Sequence, residues 1–311
     1  MDDRVRTALA TYSSRMRASN QKFLHERISE IETRSLPSER ARLDRFARVW
    51  HHTAHWPQPG ERVCNPHVPT ALVEQAHREE AITSLAAAKT LQHRFLNGVI
   101  EPSLADADWR RVFVEEFEQV VNGQIGADGQ GRRSTLRVNE ELKSFLKLAD
   151  GVADPDFRAS GICAWQVVPS GTGRAQDLDA LRNDLAASFI HDFVSANDEL
   201  LEEFCDDLDI IGGFQVGEAA RDEDFLWYSY YLFCWRIGKD DDDGKEEDSE
   251  EGWCWRVAFL CTSDAAWNLD SPPLVFDSIL EFLDWYGSWE ERLDLSETLV
   301  DIYGEEEEED D

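Results

Sequence analysis

Two aromatic runs, separated by a stretch of acidic residues, constrain the fold of this 311-residue chain more than any other feature. FLWYSYYLFCWRI spans 225–237 and WCWRVAFLC spans 253–261. In both runs the bulky side chains fall mainly at odd positions, whereas Arg236 and Arg256 fall at even positions. Because successive side chains of a strand point to opposite faces, this alternation predicts two β-strands, each with an aromatic face. We expect them to be neighbours in a mostly antiparallel sheet, with the aromatic face packed in a core.

The acidic stretch GKDDDDGKEEDSEEG, residues 238–252, connects the two predicted strands. A calcium-binding EF-hand loop needs an oxygen ligand at its first position and glycine at its sixth. With Gly244 at the sixth position, the first position is Lys239, which cannot bind calcium. The flanking runs also predict strands instead of the helices that an EF-hand requires. We therefore expect a disordered, solvated loop, which leaves contact with a basic partner as an open question.

The charge of the chain is concentrated in its second part. The formal net charge is −33; residues 1–111 carry a net charge of +3, and residues 112–311 carry −36. Such an acidic region repels nucleic-acid phosphates and anionic membranes and favours a basic protein partner. The chain ends in GEEEEEDD, so we expect residues 296–311 to form an acidic tail.

The sequence shows no sign of export or of membrane insertion. The first residues, MDDRVRTALA, lack the apolar segment of a secretory signal, and no uncharged apolar run reaches the roughly 20 residues that span a bilayer. The six cysteines form no CxxC pair and are interpreted as small buried side chains. We expect a protein of the cytoplasm or the nucleus that needs no cofactor.

Composition divides the chain into two regions with an α+β organisation. Residues 1–107 have helical composition and form the predicted helical N-terminal region. Residues 108–295 form the predicted α+β domain, in which a central antiparallel sheet is flanked by helices. Its further predicted elements are a helix from Trp109, helical spacing over 177–208 and a strand over 161–169, which we expect to join the two aromatic strands in the central sheet.

Two short helices in this second region carry recognisable end signals. Asn139 is a predicted N-cap for NEELKSFLKLADGV, and Gly151 lies where a glycine follows a helix C-terminus. Ser278 and Glu281 have the spacing of a capping box before ILEFLDWY.

The order of these elements resembles that of the SUKH superfamily, in the branch of fungal cell-wall-assembly regulators of the Smi/Knr type. NEELKSFLKLADGV is similar to the early signature of that family, with Phe145, Leu146, Asp150 and Gly151 at the signature positions. FDSILEFLDWY resembles its closing helix, and the likeness covers roughly 109–293. The resemblance implies an α+β domain without catalytic residues that binds other proteins, in toxin neutralisation for bacterial relatives and in signalling and wall synthesis for fungal ones.

A group of histidines near residue 60 suggests a metal site as an alternative. His51 and His55 are one helical turn apart, and Cys64 and His67 also have a spacing that suits zinc ligands. Only one cysteine is present there, and the segment is rich in proline. We interpret these residues as surface or interface side chains, with structural zinc as the alternative.

The sequence contains none of the common catalytic motifs. GxSxG, HExxH and the phosphate-binding GxxxxGK[ST] are all absent, and SGTGRA at 170–175 has the composition of a turn. We expect a non-catalytic, regulatory protein-binding module of unknown oligomeric state. Two alternatives are an acidic, chaperone-like binder of basic proteins and a hydrolase or transferase whose site is assembled from distant residues.

Overall fold

The computed structural model describes eleven segments of the chain. They are residues 1–43, 84–89, 97–102, 107–127, 136–153, 165–169, 177–195, 208–222, 225–236, 252–261 and 274–288. The helices, strands and contacts that define the fold lie in these residues.

The fold is α+β, as predicted. The helices are α1 (Asp2–Thr33), α2 (Leu85–Lys89), α3 (Ala107–Ala127), α4 (Glu140–Leu146), α5 (Leu178–His191) and α6 (Ile279–Gly287). The strands are β1 (Val99–Ile100), β2 (Gly151–Val152), β3 (Trp165–Gln166), β4 (Phe193–Ser195), β5 (Leu208–Asp222), β6 (Phe225–Arg236), β7 (Cys254–Cys261) and β8 (Leu274–Phe276). They form two antiparallel sheets, a small one in the order β1-β2-β3 and a larger one in the order β4-β5-β6-β7-β8.

The aromatic strands β6 and β7 are antiparallel neighbours inside the larger sheet, which confirms the prediction from their alternation. Their register runs from Trp227 opposite Cys261 to Cys234 opposite Cys254. Five odd-numbered side chains enter the main core: Tyr231, Phe233, Trp255, Val257 and Phe259. The rings of Tyr231 and Trp255 stack with centroids 4.9 Å apart. Aromatic pairs of this kind contribute beyond the area that they bury. The aromatic face is therefore core, as expected.

The other face of these strands is buried as well, which the alternation alone does not predict. Tyr230, Leu232 and Cys234 are at most 2% exposed and belong to a second apolar cluster. Arg256 lies on this face and is only 8% exposed. Its guanidinium donates to the Asp277 carboxylate at 2.7 Å and to the Cys234 carbonyl at 2.6 Å, which satisfies a charge that burial would otherwise penalise.

Gly252 marks the point where the chain enters β7 after the acidic stretch. It lies against the indole of Trp235 on β6, and a Cβ at this position would clash with that ring. The Arg256 guanidinium also approaches the Gly252 carbonyl at 3.4 Å. The end of the connection is thus held by contacts of the two strands themselves; the rest of the acidic stretch lies outside the described residues.

Cys234 and Cys254, which lie opposite each other on β6 and β7, are both free thiols and should differ in reactivity. Burial raises the pKa of Cys234 to about 12, even though Arg256 lies nearby and favours the thiolate. Cys254 is only half-buried, and burial raises its pKa as well. Because the thiolate is the nucleophile, we expect iodoacetamide at pH 8 to label Cys254 at least tenfold faster than Cys234. Trypsin cleaves after Arg236 and so separates the two cysteines, and peptide mass spectrometry then measures the labelling rate of each. The chain unfolded in urea is the control, in which the two rates should be similar. Equal rates in the native chain would contradict the prediction.

The predicted strand over 161–169 is corrected in two respects. Of its described residues, 165–169, only Trp165 and Gln166 form a strand, and this strand, β3, belongs to the small sheet instead of the sheet that holds the aromatic strands. Gly151 is likewise not a residue that follows a helix C-terminus but the first residue of β2, opposite Gln166. A Cβ on Gly151 would clash with the carbonyl of Trp165 and lie 2.6 Å from the Gln166 Cα, so the close approach of two strands requires glycine here.

The helical prediction for 177–208 is confirmed over Leu178–His191 and is wrong over Phe193–Ser195, which form β4; residues 196–207 lie outside the described residues. Asp177 caps α5 by accepting a hydrogen bond from the Ala180 amide at 2.7 Å, and the chain turns into β4 after Asp192. The longest strand of the described segments, β5, begins at Leu208 and was not predicted. It contains three register shifts against β6, which interrupt the strict alternation by which a strand is recognised.

Helix α1 packs across the compositional boundary at 107 and into the main core. Val5, Leu9, Tyr12 and Met16 follow helical spacing, are at most 6% exposed and belong to the same cluster as the aromatic strands. Tyr12 stacks on Tyr286 of α6 and donates a hydrogen bond to the Ala153 carbonyl at 2.8 Å. β1 also lies before the boundary and pairs with β2 beyond it, although a helical region was expected over residues 1–107.

Candidate functional site

The four signature residues occupy buried structural positions. Phe145 and Leu146 on α4 are at most 2% exposed, and the Phe145 ring meets the edge of Trp165 at 5.1 Å. Helix α4 begins as predicted, since Asn139 accepts a hydrogen bond from the Leu142 amide at 2.8 Å. Gly151 permits the close strand approach described above. These residues hold the small sheet against α4 and offer no surface for a ligand.

Asp150 anchors the same region through an ion pair. Its side chain is 2% exposed and accepts a hydrogen bond from Arg110 of α3 at 2.5 Å. Its backbone carbonyl accepts from the Val167 amide at 2.9 Å, and its amide donates to the Ile100 carbonyl at 2.9 Å. Asp150 therefore connects α3 to the turn between α4 and the small sheet, which is a structural role.

A pocket of about 220 Å³ lies where the two sheets approach each other, beside the C-terminal end of α5. Apolar side chains from α3, α5, β5 and the segment after β3 form most of its wall; they are Phe117, Val167, Pro169, Phe189, Phe214 and Val216. The rings of Phe117 and Phe214 are 4.2 Å apart, and both lie near Phe189. The polar lining residues are Gln166, Ser188, Asp192 and Gln215. The volume is below that of a typical drug-sized site and suits a single side chain.

Asp192 gives the pocket a negative charge. It is the residue after α5, and its carboxylate contacts the Ser188 hydroxyl at 3.4 Å and the His191 Nδ1 at 2.8 Å. No Lys or Arg of the described segments pairs with it, in contrast to Asp150 and the buried Glu116, which pairs with Arg182. The C-terminus of a helix carries partial negative charge of its own. Carboxylate and helix end therefore favour a cation at the same place.

Gln166 adds a hydrogen-bond acceptor that the protein leaves unused. Its side chain is 7% exposed, and its Nε2 donates to the Val168 carbonyl at 2.8 Å. That bond fixes which end of the amide is the nitrogen, because a carbonyl can pair only with a donor. The buried Oε1 has no hydrogen-bond partner. An unsatisfied buried acceptor is costly, so a ligand that supplies a donor gains from it.

Ser188, Asp192 and His191 are not arranged for nucleophilic catalysis. In a catalytic triad the imidazole lies between the hydroxyl and the carboxylate, so that it can remove the hydroxyl proton. Here the carboxylate of Asp192 lies between Ser188 and His191, and the His191 side chain is 87% exposed. This order suits the binding of a cation and does not activate the Ser188 hydroxyl.

The zinc candidates His51, His55, Cys64 and His67 lie outside the described residues. Within those residues, no group of three or more His, Cys, Asp or Glu side chains is placed to hold a metal ion. The helices of the described segments include none with the length and apolar character of a bilayer-spanning helix.

Sequence reasoning did not identify the pocket. Gln166 lies inside a run that predicts a strand, over 161–169. Asp192 lies inside the predicted helical segment 177–208, so the sequence did not mark it as the end of a helix. Their proximity depends on contacts between β3, β5 and α5, which are far apart in the chain. The one local signal is Asp192 itself, because an acidic residue at a helix C-terminus is electrostatically unfavourable.

Comparison with family models, with curated proteins and with solved structures finds no match for this chain.

Proposed function

We propose that this protein is a non-catalytic, regulatory binding module whose partner is a basic protein. The observation that supports the proposal best is the electrostatics of the pocket, where Asp192 has no Lys or Arg partner among the described residues and the helix end adds negative charge. The formal net charge of −33 acts in the same direction over longer distances.

The resemblance to the fungal cell-wall-assembly regulators adds a biological setting to this proposal. In that setting the protein acts in the cytoplasm or the nucleus, on a signalling or wall-synthesis partner. A partner from that pathway must carry exposed Lys or Arg side chains to suit the pocket and the overall charge.

We expect the full chain to bind poly-L-lysine of about 20 residues and to lose affinity as salt rises from 0.05 to 0.5 M. The cause is screening, since the Debye length falls below roughly 5 Å at the upper concentration. Isothermal titration calorimetry measures the affinity, and poly-L-glutamate serves as the probe that should not bind. Binding that salt leaves unchanged would contradict the proposal.

Two deletions within the same experiment distinguish the chaperone-like alternative. The acidic runs 239–251 and 304–311 carry much of the negative charge, and in that alternative they are the binding surface. A chain without both runs should then lose binding to poly-L-lysine. If the pocket is the primary site, that chain keeps a salt-dependent affinity, and Asp192→Asn reduces it.

A further inference from the structure

The side chains that line the pocket between α5 and the two sheets indicate the class of ligand that it can bind, an inference that rests on the proposed function. Its wall presents the rings of three phenylalanines, two of them 4.2 Å apart. Aromatic faces attract ammonium and guanidinium groups, and the aliphatic stems of Lys and Arg pack well against apolar walls.

The polar groups of the pocket set the chemistry of the ligand's end group. Asp192 supplies a carboxylate from α5, and Gln166 supplies a buried, unpartnered Oε1 from β3. Both are acceptors, and they come from different elements, since Asp192 follows α5 and Gln166 lies on β3. A neutral apolar side chain would leave Gln166 unsatisfied, and an acidic one would meet Asp192 with like charge.

We propose that this pocket binds the side chain of a Lys or Arg from the basic partner, with the charged end paired to Asp192 and a donor directed to Gln166 Oε1. Charge complementarity selects a cation, the apolar wall accepts its stem, and the small volume admits one side chain. Gln166 is the residue that distinguishes a donor-bearing side chain from an apolar one of equal length.

The test uses small probes on the full chain. N-acetyl-lysine methylamide and N-acetyl-arginine methylamide are titrated while the methyl resonances of Val167 and Val216 are followed by NMR. N-acetyl-norleucine methylamide is the uncharged control of similar length. We expect both cationic probes to shift these two valines with at least tenfold higher affinity than norleucine, and the difference between lysine and arginine identifies the preferred end group.

Matched variants assign the effect to the two acceptors. Asp192→Asn and Gln166→Met keep the size of each side chain and remove the charge or the acceptor, so each should weaken the cationic probes at least tenfold. Asp179→Asn, an exposed acid in the first turn of the same helix, should leave the affinity unchanged. A thermal unfolding scan confirms that each variant is folded.

Three results would overturn this assignment. They are equal shifts with norleucine, equal affinities in all variants, and shifts that avoid Val167 and Val216. If these occur while the chain still binds poly-L-lysine in a salt-dependent way, the pocket assignment fails and the proposed function stands. If the chain does not bind poly-L-lysine at all, the proposed function fails.

Discussion

A chain that begins at residue 108, where the composition changes, is expected to be unfolded or insoluble. It lacks Val5, Leu9, Tyr12 and Met16, each at most 6% exposed in the shared core. Burying such a side chain contributes about 1.5 to 3 kcal/mol, so the four together contribute about 6 to 12 kcal/mol. That is the same order as the ~5 to 15 kcal/mol by which domains are stable. Circular dichroism and gel filtration of residues 108–311 measure the outcome.

Point variants on α1 separate the loss of packing from the loss of chain length. Tyr12→Ala removes the stacking on Tyr286 and the hydrogen bond to Ala153, so it should lower the free energy of unfolding by about 3 to 5 kcal/mol. Thr11→Ala changes the exposed neighbour on the same helix and should leave stability nearly unchanged. A folded 108–311 fragment with the melting temperature of the full chain would show that α1 is dispensable.

Removing the carboxylate of Asp150 is expected to have the second largest effect. Asp150→Ala leaves the Arg110 guanidinium, whose side chain is 14% exposed, without its anionic partner. Losing one member of a buried ion pair costs about 3 to 5 kcal/mol, because the remaining charge is buried and uncompensated. Urea unfolding followed by tryptophan fluorescence measures the change, since Trp165 lies beside this region.

An exposed acid on α3, the helix that carries Arg110, provides the control for Asp150. Asp108 is exposed and lies 3.6 Å from Arg111, which is exposed too. Solvent screens such a pair, so Asp108→Ala should leave the unfolding midpoint almost unchanged. The double variant Asp150→Ala with Arg110→Met should be more stable than Asp150→Ala alone, because it removes the uncompensated charge. A double variant that is less stable than Asp150→Ala would contradict the burial argument.

Elements that depend on local sequence were predicted well. The alternation of β6 and β7, the cap at Asn139 and the start of α6 at Ser278 all depend on residues a few positions apart. The capping box at α6 is realised in a modified form, because Glu281 accepts from the Asp277 amide instead of the Ser278 amide.

Features that depend on distant contacts were not predicted. Gly151 has the position of a glycine that ends a helix, and only its contact with β3 shows that it is a strand residue. The same limit applies to the pocket, since Gln166 and Asp192 meet through tertiary packing. Strand β5 was missed for a related reason: its bulges break the period that identifies a strand.

Strands β6 and β7 hold the ends of the acidic stretch. The stability of the sheet and the length and charge of this connection can therefore change independently. Cross-strand packing fixes the register as far as Cys234 opposite Cys254, and Trp235 fixes the chain again at Gly252. Doubling the length of a connection costs only about 0.6 kcal/mol of closure entropy. Insertions, deletions and charge changes in the connection can therefore accumulate over evolution with little effect on the sheet. The proposed long-range attraction for a basic partner could then be tuned while the pocket stays the same.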